Sequence, residues 1–131
     1  MSTDLWRWVI AIAVFAHGIG HSLFMPLPFD KYPTSGHSWL LSGLLGDGPA
    51  KAVAYVLAGV VIAIFVAATF GFMNHATWWR TAAVVAAVIS LVEIAVFFDG
   101  LPLSNALLAV AFDVAVLAAI WANWPAEVLG S

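Results

Sequence analysis

The chain has 131 residues, of which 64% are hydrophobic and only 8% carry a charge. Soluble domains carry about 25% charged residues, so lipid rather than water is expected to surround most of this chain. The net charge of −3 forms no patch, which argues against nucleic acid as a partner, and the absence of cysteine excludes disulfides, thiolate metal sites and iron–sulfur clusters.

Four apolar stretches are long enough to cross a hydrocarbon core, which needs about 20 residues of helix. They are Leu5–Met25, Lys51–Phe72, Trp78–Phe98 and Asn105–Trp124. The sequence therefore predicts an all-α integral membrane protein, a bundle of four transmembrane helices in a single domain over residues 1–131. We expect the plasma (cytoplasmic) membrane as its location.

Residues at the borders of these stretches predict where the helices begin and end. Pro26 and Pro28 are expected to end the first helix, and Pro49 lies in the first turn of the second. Thr77 and Ser104 are candidate N-caps of the third and fourth helices because a hydroxyl can accept a hydrogen bond from the first turn.

The tryptophans support a count of four spans. Tryptophan favours the membrane–water interface, and four spans place six of the seven tryptophans on one side. These are Trp6, Trp8, Trp78, Trp79, Trp121 and Trp124. The basic residues are divided equally between the two sides, so the positive-inside rule leaves the orientation undetermined.

The loop Leu27–Gly48 is the one long connection between the predicted spans. Its middle, from His37 to Leu45, is apolar and short. This pattern predicts a short helix between the first and second spans that lies in the interface or re-enters the membrane.

Small residues recur every four positions on three of the helices, a pattern that lets helix backbones approach closely in lipid. We interpret these stripes as contacts within the bundle; the alternative is a docking face for a partner helix. The stripes are Ala16 and Gly20; Gly59, Ala63, Ala67 and Gly71; and Ala111, Ala115 and Ala119.

Four ionisable residues lie inside the apolar stretches: His17, His21, Glu93 and Asp113. A charge at the bilayer centre costs about 2.5–3.5 kcal/mol even on lenient scales, so such residues are expected to pair, bind an ion or line a polar path. At about 1.5 Å of rise per residue, they form two tiers counted from the long-loop side. His21 and Glu93 lie about 7–9 Å deep, and His17 and Asp113 about 12–14 Å deep.

Helical spacing predicts that these four side chains turn toward a common interior. His17 and His21 are four residues apart and share one face of the first helix. Glu93 continues a small or polar stripe on the third helix, and Asp113 continues one on the fourth. The stripes are Ala83, Ala86, Ser90 and Glu93, and Asn105, Ala109 and Asp113.

Two imidazoles and two carboxylates are a sensible ligand set for Zn, Fe, Mn or Cu(II). We therefore predict a metal site with His17, His21, Glu93 and Asp113 as ligands, and with His37 as a further ligand from the short helix. No haem is expected, because two histidines on one helix cannot take opposite axial positions on one iron. The plainer interpretation is an ordinary hydrogen bond to backbone or a neighbouring helix for His17, His21 and Asp113. For Glu93 it is a side chain that reaches the headgroups, and for His37 it is a solvated loop histidine.

Three short motifs carry a resemblance to a known group of proteins. They are His17-Gly18-Ile19-Gly20-His21, Trp78-Trp79-Arg80 at the start of the third helix, and Asn105 at the start of the fourth. The chain resembles small four-helix membrane proteins, loosely DoxX-like in size, some of which begin with a His-Gly-x-x-His first helix. The resemblance implies the four-helix fold and carries no activity.

Three hypotheses about function remain open. The first is a metal-binding membrane protein able to act on a lipophilic substrate, with Glu93 and Asp113 as catalytic residues. The second is a metal-free enzyme acting on a lipid or isoprenoid, in which a buried carboxylic acid donates a proton and an imidazole accepts one. The third is an accessory subunit of a larger membrane complex, in which the polar cluster only joins helices. An ion carrier is disfavoured because the cluster occupies one half of the membrane.

Overall fold

The structure is a computed structural model that describes residues 2–24 and 37–129. Within these two ranges the chain is helical and contains no β-strand. The helices are α1 Thr3–Gly20, α2 Leu41–Leu45, α3 Asp47–Met73, α4 Trp79–Phe97, α5 Leu103–Ala122 and α6 Ala126–Leu129. Two short 3-10 turns, His21–Phe24 and Phe98–Gly100, continue α1 and α4.

Three helices of the described ranges are long and apolar enough to cross a membrane. They are Asp47–Met73, Trp79–Val96 and Leu103–Ala122. Helix α1 is not among the three, because its 18 residues include the polar side chains of Asp4, Arg7 and His17. The all-helical, membrane-type architecture expected from the sequence is therefore confirmed.

Two predicted boundaries differ from those in the structure because of glycine. Helix α1 gives way to a 3-10 turn at His21, five residues before the predicted end, after two glycines weaken its last turn. Helix α3 begins at Asp47, four residues before the predicted start, because Gly46 adopts a φ of 84° and separates it from α2. Pro49 does lie in the first turn of α3. The predicted helix stops Pro26 and Pro28 fall outside the described residues.

The two predicted N-caps are wrong. The N-cap residues of α4 and α5 are Trp78 and Pro102, and neither makes a side-chain capping bond. The turn before α4 is closed by a hydrogen bond from the Trp79 N–H to the Ala76 carbonyl, so the helix begins after Thr77. Proline with its fixed φ starts α5 early, which leaves Ser104 inside the first turn.

Helix α3 is the centre of the bundle. It packs against α1, α2 and α4, and α4 packs in turn against α5. The buried side chains of α3 are small near its start and large near its end. Helices α2 and α4 can therefore approach closely near the start, and aromatic rings fill the space near the end. The buried residues of this face include Ala50, Ala54, Ala58, Val61, Phe65 and Phe72.

The prediction that the small-residue stripes form helix contacts is wrong for most of their members. Ala63 and Ala67 on α3, Ala111 and Ala115 on α5, and Ala16 on α1 are all exposed. The physical reason is that α3 turns a face of alanine and large apolar side chains inward. By contrast, Ala83, Ala86, Ser90 and Glu93 on α4 are all buried, as the sequence predicts.

The five-residue helix α2 lies in the apolar segment between α1 and α3 for which the sequence predicts a short helix. The segment that leads into it is tied to the end of α4: the Ser38 hydroxyl donates to the Val96 carbonyl at 2.6 Å, and the Trp39 indole N–H donates to the Ala95 carbonyl at 2.8 Å. The Trp39 backbone N–H also donates to Asp99 at 3.0 Å. These bonds fix α2 beside the end of the bundle at which His21 and Glu93 lie.

Candidate metal centre

The histidines on α1 reach the bundle interior because α1 lies very close to α3. A Cβ added at Gly18 would lie 2.6 Å from the Cβ of Phe65, so only glycine allows this approach. The rings of His17 and His21 pack against the Phe65 ring, with centroids 5.0 Å and 6.3 Å away. The His17 ring also stacks on Phe112 of α5 at 4.2 Å.

Each histidine meets one carboxylate of the same predicted tier. The Nε2 of His17 lies 2.9 Å from Oδ1 of Asp113, and Nδ1 of His21 lies 2.8 Å from Oε2 of Glu93. The two carboxyl side chains are fully buried, and those of His17 and His21 are 9% and 2% exposed. These two contacts confirm the pairing expected from depth. Depth is predictable because each residue of a helix adds a fixed rise.

Ser90 joins the two pairs, although its place on the inward stripe did not mark it as a site residue. Its hydroxyl donates to Oδ2 of Asp113 and lies 3.0 Å from Nε2 of His21. Since the hydroxyl has a single hydrogen, the contact with His21 is made by the imidazole N–H donating to Ser90. The sequence does carry a signal for this role, because Ser90 is polar and lies three residues before Glu93.

The result is a buried row of hydrogen-bonded polar groups from three helices, which we call the cluster. It runs from Glu93 through His21, Ser90 and Asp113 to His17. One atom is left over: Oε1 of Glu93 is buried and has no hydrogen-bond partner among the residues that the structure describes. An unsatisfied buried carboxyl oxygen is costly, so a water molecule or another polar group is expected beside it.

Three residues of the cluster could hold a metal ion. His17, His21 and Asp113 each offer a ligand atom, and these atoms lie within 4.8 Å of one another. Ligands at 2.0–2.2 Å around a tetrahedral ion are about 3.5 Å apart, so the three side chains would have to adjust when an ion binds. Two imidazoles and one carboxylate leave at least one coordination position open, as in catalytic zinc sites.

The structure places the other two predicted ligands differently. Glu93 contacts the ring of His21 at Nδ1, where a carboxylate orients a ligating imidazole. His37 lies in a separate group at the end of the bundle, with Nδ1 at 3.0 Å from Asp47 and Nε2 at 3.4 Å from Asp99. Both of its ring nitrogens face carboxylates there, so the expectation that His37 completes the metal site is not met by this arrangement.

A cavity opens beside the cluster, between α1 and α5. It has a volume of about 500 Å³, within the range of small-molecule sites. Its walls are mostly apolar and include both imidazoles. Lining residues include Ala13, Ala16, His17, His21, Ala109 and Phe112. We call it the seam cavity, because it lies along the boundary, or seam, between α1 and α5.

Comparisons with protein-family models, with curated proteins and with solved structures return no match for this chain. The geometry of the cluster and of the cavity beside it is therefore the basis for assigning a function.

Proposed function

We propose that the chain is a four-span membrane protein that binds a transition metal inside the bilayer, beside a cavity for a lipophilic substrate. The observation that carries this proposal is the close approach of His17, His21 and Asp113, whose ligand atoms lie within 4.8 Å of one another. Polar groups of this kind are rarely retained in an apolar span unless they have a function.

In this proposal α1 also crosses the membrane, in addition to α3, α4 and α5. It is 18 residues long and continues through a 3-10 turn to Phe24. Its polar first two turns, with Asp4 and Arg7, would lie at the interface, where Trp6 and Trp8 are both exposed. The resemblance to small DoxX-like four-helix proteins agrees with this count and remains a prediction.

The residues of the cluster divide into ligands and groups that position them. His17, His21 and Asp113 are the proposed ligands. With a metal bound, Glu93 would accept the Nδ1–H of His21 and so leave Nε2 free to face the ion, and the Ser90 hydroxyl would hold the second oxygen of Asp113. A bound metal with an open position supplies Lewis-acid activation of a water or carbonyl oxygen.

Metal analysis of purified protein tests the proposal. After chelation and reloading with Zn²⁺, Fe²⁺ or Mn²⁺, the wild-type protein should retain one of these ions in stoichiometric amount. H17A should lose at least about tenfold in affinity. The matched control is H37A, which removes a histidine outside the cluster and should retain the ion. Wild-type protein that holds no ion, or H17A that holds as much as wild type, would refute the metal site.

The metal-free acid–base hypothesis is favoured by one observation, the direct hydrogen bond between His17 and Asp113 at 2.9 Å. The pair already satisfies itself without an ion, and His17 also faces the seam cavity. Conversion of an added lipid by chelator-treated protein, lost in D113N, would support this second function.

The accessory-subunit hypothesis rests on the same hydrogen bonds, which join α1, α4 and α5 whatever else they do. It predicts stoichiometric co-purification with other membrane subunits. A monodisperse protein that binds metal when expressed alone would argue against it.

A further inference from the structure

The first and last long helices of the bundle are its two edges. Helix α1 packs against α3, α3 against α4, and α4 against α5. The side of α1 that faces α5 is therefore lined by cavities instead of by close helix packing. We call this boundary the α1–α5 seam.

The seam is kept open by small side chains. Ala13, Ala16 and Gly20 of α1 and Ala109 of α5 line the seam cavity. A Cβ added at Gly20 would meet nothing within 4 Å, so the described residues leave open space beside this position of α1. The stripe of Ala16 and Gly20 thus lines a cavity rather than a helix contact.

A second cavity lies farther along α1 and α5, and residues of α3, α4 and α6 line it as well. It has a volume of about 140 Å³, and its exposed lining is entirely apolar. Ile10 and Val14 of α1 and Val116 and Ile120 of α5 contribute to it, one to two turns beyond His17 and Phe112. The distance along α1 from His17 to Ile10 is about 10 Å. The seam is therefore polar at one end and apolar at the other.

We propose that a single-chain lipid occupies the α1–α5 seam, with an oxygen-bearing end group at His17 and His21 and its chain directed toward the apolar cavity. The polar groups of the seam lie together, and an imidazole that exchanges its present partner can bond a hydroxyl or carboxyl oxygen. Asn105 adds an amide near the loop end of the seam cavity.

The size of the space argues against a partner helix as the occupant. A helix about 10 Å across fills about 80 Å³ per Å of its length, so 500 Å³ would hold little more than one turn. A flexible hydrocarbon chain can instead follow this narrow space toward the second cavity, once the stack of His17 on Phe112 at 4.2 Å opens to let it pass. Small lining residues on both walls suit a chain of that width.

This inference rests on the proposed function and deepens it, since it names the substrate class of the same site. The end-group oxygen would lie where a metal held by His17, His21 and Asp113 has its open position. The lipid would enter sideways from the membrane through the gap between α1 and α5.

Photolabelling tests the occupant. The probe is lauric acid with a diazirine in its chain, added to the full-length protein in phosphatidylcholine nanodiscs, and labelled residues are mapped by mass spectrometry. We expect label on seam residues such as Ala13, Val14 and Val116. Unlabelled lauric acid or dodecanol should compete, whereas dodecane, which has no polar end, should not.

Two variants fill the seam cavity from positions that are not members of the cluster. G20L and A16L each place a larger side chain in the cavity and should lower seam labelling by at least about tenfold, with thermal unfolding as the check on folding. The matched control is G43L, at another glycine with nothing within 4 Å, which should label as wild type.

Other outcomes would overturn the proposal. Label spread equally over the outer face of α3, or equal competition by dodecane, would show ordinary annular lipid without end-group recognition. A disulfide between two copies of A16C would show that a second copy of the chain fills the seam. Metal content separates the two proposals: G20L that keeps its metal and loses the label supports the lipid site, whereas label without metal in wild type overturns only the proposed metal function.

Discussion

Replacing Gly18 with alanine should separate α1 from α3 and displace the two histidines from Asp113. The new Cβ would lie 2.6 Å from the Phe65 Cβ and 3.5 Å from its Cγ. Carbon atoms pack best at about 3.5–4.0 Å, so the helices would have to move apart by about 1 Å. Overpacking of this kind costs about 1–3 kcal/mol.

The helix preference of alanine acts in the opposite direction. Alanine is favoured over glycine inside a helix by about 0.5–1 kcal/mol, so G18A should lose up to about 2.5 kcal/mol in the free energy of unfolding. A shift of about 1 Å also exceeds the tolerance of about 0.2 Å for metal–ligand distances. G18A should therefore bind metal more weakly than wild type.

The matched control is G20A, two residues along the same helix. Its Cβ would meet nothing within 4 Å, so only the helix preference remains and the variant should be as stable as wild type or slightly more so. Unfolding of both variants in a mixed-micelle titration, with metal content measured alongside, checks the pair. If both variants shift in the same direction, or if G18A retains full stability and metal, the close α1–α3 approach is not what positions the histidines.

Changes within and beside the cluster should be distinguishable by metal affinity and stability. S90A would leave Asp113 and His21 each short of a hydrogen bond, which costs about 1–3 kcal/mol in the free energy of unfolding by denaturant titration; unchanged stability would contradict the bridging role. E93Q should lower metal affinity by about 10–100-fold, measured by chelator competition, because an amide orients His21 less well than a carboxylate. H37A should speed amide hydrogen exchange over residues 38–45 while metal content stays constant; loss of metal there would place His37 in the site after all.

The depth of each buried polar group is predictable from the sequence, and its exact contacts are only partly so. Rise per residue and helix boundaries are enough to place His17 in one tier with Asp113 and His21 in another with Glu93. The sequence marks Ser90 as a polar residue on the inward stripe, but the two groups that it joins are not predictable, because they depend on the rotation of α4 relative to α1. The partners of His37 are not predictable either, since its loop position allows several.

Small residues are the least informative part of the sequence. A stripe of glycine and alanine permits close helix packing and does not require it. Which stripes form contacts depends on which helices lie next to one another in the bundle. Ala63 and Ala67 face outward because α3 contacts its neighbouring helices through another face. Gly18 does mediate a close contact, and its importance comes from one large neighbour, Phe65, that no local pattern reveals.

The long sequence separations within the cluster have a consequence for biogenesis. His21 is 72 residues from Glu93, and His17 is 96 residues from Asp113. In the proposed four-span arrangement, with helices entering the bilayer in the order of synthesis, α1 is made before either of its acidic partners. The imidazoles would then be without these partners until α4 and α5 have been inserted.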